Sequence, residues 1–254
     1  MFLAADIGNT NIVLGFKQGG KWSHILRIET SDPVEKYPLL ISDFVLEKNI
    51  DSSLIESVAL SSVVPWLTHP LERMLTELTR LQVYSIGPEF YSHLPIKIRN
   101  PEEMGTDLIA NALAAYNSSQ TKCLIVDFGT ALTFTSVGED GEILGVAIAP
   151  GLKTAMKSLS KNTAKLPEIP LVIPESALGK NTVHAMQAGI LLGYTGLVEK
   201  MVAKIKSEMG EPVRVYATGG LSSILSNINY LFDEVNANLT LDGLHEFHKH
   251  VSGK

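Results

Sequence analysis

The sequence predicts an α/β protein of two related lobes, and three observations carry that reading. Short apolar runs of strand length alternate, along the whole chain, with stretches whose apolar residues recur at helical spacing. An apolar run closed by Asp-x-Gly occurs twice: Phe2-Leu-Ala-Ala-Asp6-Ile-Gly8-Asn-Thr10, and 121 residues later Cys123-Leu-Ile-Val-Asp127-Phe-Gly129-Thr130. Repetition on this scale is the mark of a duplicated unit. The 254 residues are 45% hydrophobic and 19% charged, which supplies two cores and leaves no tract of disorder-prone composition.

In the first copy, strands are expected over 2–6 and 12–16, joined by the hairpin signal Gly8-Asn9-Thr10-Asn11, with a third strand over 21–30. A helix over 34–46 follows, with Ser31 or Asp32 as N-cap and Pro33 in its first turn. Then come a strand over 57–64, a helix over 70–81 and a strand over 83–86. A proline-bearing loop leads to a helix from 102 or 106 to 117, expected to bridge the halves. The second copy opens with strands over 123–127, 132–137 and 143–149, the last two joined by Glu139-Asp140-Gly141. Helices are expected over 153–160 and 183–209, then a strand over 213–217 ending in Thr218-Gly219-Gly220. A helix starting over 221–226, a strand over 232–235 and a closing helix over 241–248 complete it. The lobes are placed at 1–117 and 118–254, packed closely because no linker separates them.

Composition excludes several classes. Cys123 is the only cysteine, so neither a disulfide framework nor a cysteine zinc cluster is available, and a reducing, cytoplasmic setting is expected. With 21 basic and 27 acidic residues the net charge is −6, and the basic residues are scattered, which argues against nucleic acid. The start, Phe2-Leu3-Ala4-Ala5-Asp6, lacks the basic region and apolar length of a signal peptide. The longest apolar stretch, 185–198, is interrupted by Gln187, Tyr194 and Thr195 and is too short for a bilayer, so no membrane is expected.

The chemistry lies at the strand ends. In Asp6-x-Gly8-Asn9-Thr10 the glycine lets backbone approach a ligand closely. Successive N–H groups with Asn and Thr side chains can hold phosphate oxygens, and the carboxylate can hold Mg²⁺ through water. A single copy reads more readily as a hairpin turn. A hairpin needs no carboxylate at its entry, however, and both copies have one. Gly219-Gly220, between an apolar strand and a helix, is a third place of close approach, or simply a strand-to-helix turn. Gly179-Lys180-Asn181-Thr182 is not a P-loop, because Pro174 and Asn181 stand where Gly and Ser/Thr are required. His245-Glu246-Phe247-His248 is not a zinc-protease helix, because Lys249 stands in place of the second ligand.

Together the two Asp-x-Gly turns and the Gly-Gly turn resemble the phosphate and adenosine motifs of the actin/hexokinase/Hsp70 ATPase superfamily. The resemblance narrows through eight motifs in order: Ser61-Ser62-Val63-Val64-Pro65; Gly105-Thr106-Asp107; Asp127-Phe128-Gly129-Thr130-Ala131; Pro150-Gly151; Leu166-Pro167; Gly179-Lys180-Asn181-Thr182 with Ala185-Met186-Gln187-Ala188-Gly189; Thr218-Gly219-Gly220; and Leu239-Thr240-Leu241-Asp242-Gly243-Leu244. Over the whole chain the sequence resembles type III pantothenate kinase. That resemblance implies two ribonuclease H-like lobes with an ATP cleft between them. The implied reaction is phosphorylation of pantothenate to 4′-phosphopantothenate, the first step of coenzyme A biosynthesis. It implies Asp6 beside Mg·ATP, Gly8, Asn9, Thr10 and Asn11 around phosphate, and Thr130, Gly219 and Gly220 on ATP. Asp127 would hold a monovalent cation, K⁺ or NH₄⁺. Asp107 would be the base facing the pantothenate hydroxyl, in a site with Gly105, Thr106, Leu108 and Thr182 completed by the second subunit of a homodimer.

Three positions depart from the family pattern. Leu108 stands where an arginine usually follows the base, Ile98 beside Arg99 where a tyrosine is usual, and Thr135 where an aspartate often ends the second phosphate motif. Arg99, Lys153 and Lys165 are the cations available to replace the lost arginine. Two other functions stay open at this point: a diverged small-molecule kinase with another hydroxylated acceptor, and a non-catalytic nucleotide-responsive regulator. The retained Asp6, Asp107 and Asp127 favour catalysis, since a pure binder needs no base.

Overall fold

Each predicted copy becomes a five-stranded sheet in the computed structural model, which describes residues 1–30, 33–220, 222 and 224–252. In the first unit β1 (Phe2–Ile7), β2 (Asn11–Gln18) and β3 (Lys21–Glu29) form an antiparallel meander, followed by α1 (Tyr37–Glu47). Next come β4 (Ser57–Ser62), α2 (Pro65–Thr79), β5 (Val83–Ser85) and α3 (Thr106–Ser119). The second unit repeats the meander as β6 (Cys123–Phe128), β7 (Ala131–Val137) and β8 (Ile143–Pro150). It continues through α4 (Leu152–Asn162), α5 (Thr182–Gln187), α6 (Gly193–Met209), β9 (Arg214–Thr218) and β10 (Glu234–Val235). The last helix, α7, spans Leu239–Val251.

The duplication is visible in the strand order. The first sheet runs β3-β2-β1-β4-β5 and the second β8-β7-β6-β9-β10, each with three antiparallel strands and then two parallel ones. The register matches residue by residue. Asp6 lies between Val13 and Ser61, and Asp127 between Thr133 and Thr218. The first hairpin is one residue longer than the second, because Ile7 pairs with Ile12 whereas Phe128 pairs with Leu132.

Strand alternation builds each core. Leu3, Ala5 and Ile7 of β1 join Ile12, Leu14 and Phe16 of β2 and Leu60 of β4 in a core with Tyr37, Ile41, Leu67 and Leu71. The second core gathers Leu124, Val126 and Phe128 of β6 with Phe134, Val215 and Ala217 and with Val198 and Val202 of α6. Each such side chain contributes about 1.5–3 kcal/mol of burial. Alternation also fixes the acids: Asp6 and Asp127 take the face opposite these cores, at the strand ends.

Several expected boundaries move. The strand expected over 57–64 stops at Ser62, and α2 starts at Pro65 rather than 70. Pro65 has a ring-fixed φ suited to the first helical position, and Ser62 Oγ accepts the Val64 N–H at 3.3 Å. The helix expected over 183–209 carries a π-helical turn at Ala188–Leu192 between α5 and α6. Val34–Lys36 is a 3₁₀ turn before α1, and the expected cap at Ser31 or Asp32 lies outside the described residues. Leu221, the expected start of a helix over 221–226, also lies outside them. From 226 a 3₁₀ helix, Ser226–Leu231, follows instead.

The compact units are Met1–Asn117 with the segment from Leu239 on, and Ser118–Asn238. The closing helix, placed in the second lobe by its position in the sequence, packs on β1 and β4 of the first sheet. Two contacts explain the difference. Gly243 of α7 lies so close to Ala110 of α3 that any side chain there would overlap the Ala110 carbonyl. Thr240 donates to Asn111 Oδ1 at 2.9 Å.

Candidate active site

The first unit brings three expected elements together at the ends of β1 and β4 and the start of α3. Thr106, the first residue of α3, is tied to the end of β4. It accepts the Ser62 N–H at 2.9 Å and donates to the Ser62 carbonyl at 3.0 Å. Its single proton goes to that carbonyl, so Ser61, 3.0 Å away, is the donor between the two hydroxyls. Ser61 is the parallel-strand neighbour of Asp6, so the hydroxyl pair links the strand of Asp6 to the helix of Asp107. The sequence marked Ser61 and Ser62 as part of a motif without a role; their signal was a pair of hydroxyls closing an apolar strand.

Asp107 occupies the next helical position. Its carboxylate accepts the Leu108 N–H at 2.8 Å and folds back over Gly105, where a Cβ would stand 2.5 Å from Oδ1. A side chain at 105 would push the carboxylate out of this position. Burial raises the Asp107 pKa above the ordinary 3.8, against the lowering effect of the backbone N–H groups. A helix start alone stabilises the ionised form; here desolvation wins, and the carboxylate becomes a better proton acceptor. Leu108, expected at the acceptor, is buried at 9% exposure. In the hairpin, Asn9, Thr10 and Asn11 are exposed. The Oδ1 atom of Asp6 is buried and takes no protein hydrogen bond, although the residue makes other contacts.

The second unit gathers its own set. Asp127, Thr133 and Thr218 are register neighbours on adjacent strands and project from one face. Thr133 Oγ1 is buried without a hydrogen-bond partner. An all-oxygen donor set of one carboxylate and hydroxyls fits a hard monovalent cation better than a soft transition metal. No cluster of three or more His, Cys, Asp or Glu ligands occurs among the described residues. Gly219 has φ +92° and a Cβ there would meet Asp127 Oδ1 at 2.5 Å, so glycine is obligatory for the protein's own packing. Gly220, in contrast, has open space on its Cβ side. Thr182, expected on the pantothenate side, stands at the start of α5. Asn181 is the cap, its side chain accepting the His184 N–H at 2.9 Å, and Thr182 is exposed.

Comparison with known proteins decides the family. The type III pantothenate kinase profile matches residues 2–204. A protein of Myxococcus xanthus (strain DK1622) named type III pantothenate kinase is 41% identical over 246 residues, 96% of this chain and 96% of its own. The chain belongs to the type III pantothenate kinase family. Another bearing that name, from Geobacter sp. (strain M21), is 40% identical over 251 residues, 98% of this chain and 99% of its own. Among solved structures, a Campylobacter jejuni protein described as a Baf family transcriptional activator superposes with a TM-score of 0.61 at 19% identity. It covers 99% of this chain and 100% of its own, a likeness of fold. As a type III pantothenate kinase the chain is a phosphotransferase, and its reaction is the phosphorylation of pantothenate in coenzyme A biosynthesis. A pantothenate kinase of this family works on ATP with a divalent metal, and the exposed hairpin with buried Asp6 Oδ1 suits those partners. No described helix is long and apolar enough to cross a membrane.

Proposed function

We propose that Asp107 accepts the proton of the pantothenate hydroxyl as phosphate is transferred from ATP. The observation that carries this is Asp107 itself, a carboxylate folded over Gly105 at the start of α3 and made more basic by burial. The hydroxyl oxygen bonds to the terminal phosphorus, the bond from that phosphorus to the bridging oxygen of ADP breaks, and the hydroxyl proton passes to Asp107. A carboxylate does not deprotonate an alcohol beforehand; it orients the hydroxyl and takes the proton late. Magnesium, when bound, would neutralise charge on the phosphate oxygens, and Asp6 would hold it through water. Gly8, Asn9, Thr10, Asn11 and Thr130 attend the phosphates, and Gly219 and Gly220 the remainder of the nucleotide. Asp127, with Thr133 and Thr218 on its face, is the ligand assigned to K⁺ or NH₄⁺.

Gly105, Thr106, Leu108 and Thr182 are assigned to the pantothenate side, in a site completed by a second copy of the chain. Exposed apolar residues support the dimer: Leu144 and Ile148 on the edge strand β8, and Val172 and Leu178, the last at 78% exposure. We place the enzyme in the cytoplasm, the reducing setting that suits the single buried Cys123.

The test is ADP release in K⁺ buffer with and without pantothenate. Pantothenate-dependent turnover is expected. ATP binding with no turnover would mean a nucleotide-binding regulator. Burial of an apolar Leu108 favours one second reading, a hydroxylated acceptor with an uncharged end. Pantothenamides outperforming pantothenate in the same assay would establish it.

A further inference from the structure

We propose that Thr30 is a positioning residue that aims the backbone amides of the 8–11 hairpin at the nucleotide phosphates, with Thr154 its counterpart in the second unit. The inference rests on the nucleotide site assigned above and adds residues outside every motif named so far.

Thr30 follows β3 directly and is buried. Its N–H donates to the Thr10 carbonyl at 3.0 Å, and its hydroxyl donates to the Gly8 carbonyl at 2.7 Å. Its own carbonyl accepts the Tyr37 hydroxyl at 2.9 Å, and Tyr37 is fully enclosed in the first core. One threonine therefore fixes two peptide planes of the loop and is itself fixed by the core. A trans peptide is planar, with its C=O and N–H pointing opposite ways. With the Gly8 and Thr10 carbonyls drawn toward Thr30, the N–H groups of Asn9 and Asn11 point away from it, and both residues are exposed. The Gly8 N–H is excluded, because it donates to the Asn11 carbonyl at 2.9 Å. Outward N–H groups two residues apart in an exposed turn can donate to an anionic oxygen.

The second unit holds a single loop carbonyl, that of Thr130, with two donors. The Thr130 carbonyl accepts the Gly151 N–H at 3.0 Å and the Thr154 hydroxyl at 2.7 Å. Gly151 must be glycine, because a side chain would overlap the carbonyls of Gly129 and Thr130. The Ala131 N–H is thereby turned away from β8 and α4. In one unit the second donor comes from the end of a strand and in the other from the first turn of a helix. The common element is a threonine hydroxyl on a loop carbonyl.

The experiment titrates the full chain with Mg²⁺ and a non-hydrolysable ATP analogue. Thr30→Val, which keeps the shape and removes the hydroxyl, should weaken binding about five- to tenfold, the effect of one hydrogen bond. Thr30→Ser should restore it, and the KM for pantothenate should stay unchanged in both. A folded Thr30→Val with parental affinity, or a Thr30→Ser as weak as the valine variant, would overturn the assignment. Should Thr30→Val not fold, amide hydrogen exchange on the unsubstituted protein decides. Asn9, Asn11 and Ala131 should slow on addition of the analogue while Gly8 and Gly129 do not change. Binding without slowing at Asn9 and Asn11 overturns this inference alone. A parent that binds no nucleotide overturns the nucleotide site and this inference with it.

Discussion

Asp107 faces two opposed demands. Burial makes it a better base and makes its ionised form unfavourable. Because its folded pKa lies above the unfolded value of 3.8, the native state holds the proton more tightly, and stability falls as pH rises through that window. At pH 7 the ionised carboxylate is therefore destabilising. Asp107→Asn should lower kcat by about 10²–10⁴-fold and raise the melting temperature at pH 7, with no gain below pH 3.8. Turnover near normal, or a lower melting temperature at pH 7, would contradict this. The acid limb of kcat/KM should likewise lie above the ordinary carboxylate range. If Asp127 holds the monovalent cation proposed for it, activity should rise with K⁺ or NH₄⁺ and fail in Na⁺ alone. Asp127→Ala should abolish that dependence, and Thr133→Val should raise the K⁺ needed for half-activation. Leu108 offers an acceptor carboxylate no charge-assisted contact, which is worth about 1.5–3 kcal/mol where one is made. If Arg99 has taken over the anchoring, Arg99→Ala should raise the KM for pantothenate by tens-fold and leave that for ATP alone. If it has no effect, Leu108→Arg should improve pantothenate use.

Elements show what could be read from the sequence and what could not. The two hairpins and their acids were legible because everything that makes them is local: period-two alternation, a turn, and a carboxylate at a fixed offset. The repeat was legible as a duplicated lobe, while the order of strands in each sheet came only with the structure. The start of α2 was not legible: the helix expected over 70–81 begins five residues earlier, where Pro65 and the Ser62 hydroxyl set it. The Thr106 latch and the cap at Asn181 depend on which hydroxyl or amide meets which backbone group, and residue types alone do not say. Least legible was the home of α7, which depends on a close approach to a helix more than 120 residues earlier. That approach makes a sharp test. Alanine is favoured over glycine in a helix by about 1 kcal/mol, yet Gly243→Ala must overlap the Ala110 carbonyl. Overpacking costs about 1–3 kcal/mol, and with backbone as the obstacle the clash should win and lower the melting temperature. A stabilised variant would mean that the helices can separate freely. A second anchor of α7 is Glu246, whose pKa is lowered to about 2 by hydrogen bonds from His245, Lys249 and Asn117. Its contribution is complete above pH 4.5 and is lost as pH falls toward 2. The group is partly exposed, so Glu246→Gln should cost only about 1 kcal/mol at neutral pH and nothing at pH 2, as denaturant melts at the two pH values would show.

For the whole molecule the exposed face of β8 is the testable feature. Ile148, at 70% exposure on an edge strand, is an aggregation liability unless something covers it. Ile148→Glu should give monomers in sedimentation at micromolar concentration, with pantothenate use impaired and nucleotide binding kept. A monomer that phosphorylates pantothenate at the parental rate would refute the shared site. The placement of α7 has a different consequence, for the order in which the protein is made. Residues 118–238 form one unbroken unit, whereas the first unit is assembled from residues 1–117 and the segment from 239 on. On the ribosome the second unit has its whole sequence before the first does. The sheet bearing Asp6 must wait through the synthesis of its neighbour, with the side of β1 and β4 that α7 will cover still open. A released chain truncated after Asn238 should therefore protect 118–238 from protease while 1–117 remains cleavable, and the first unit becomes complete only once α7 is present.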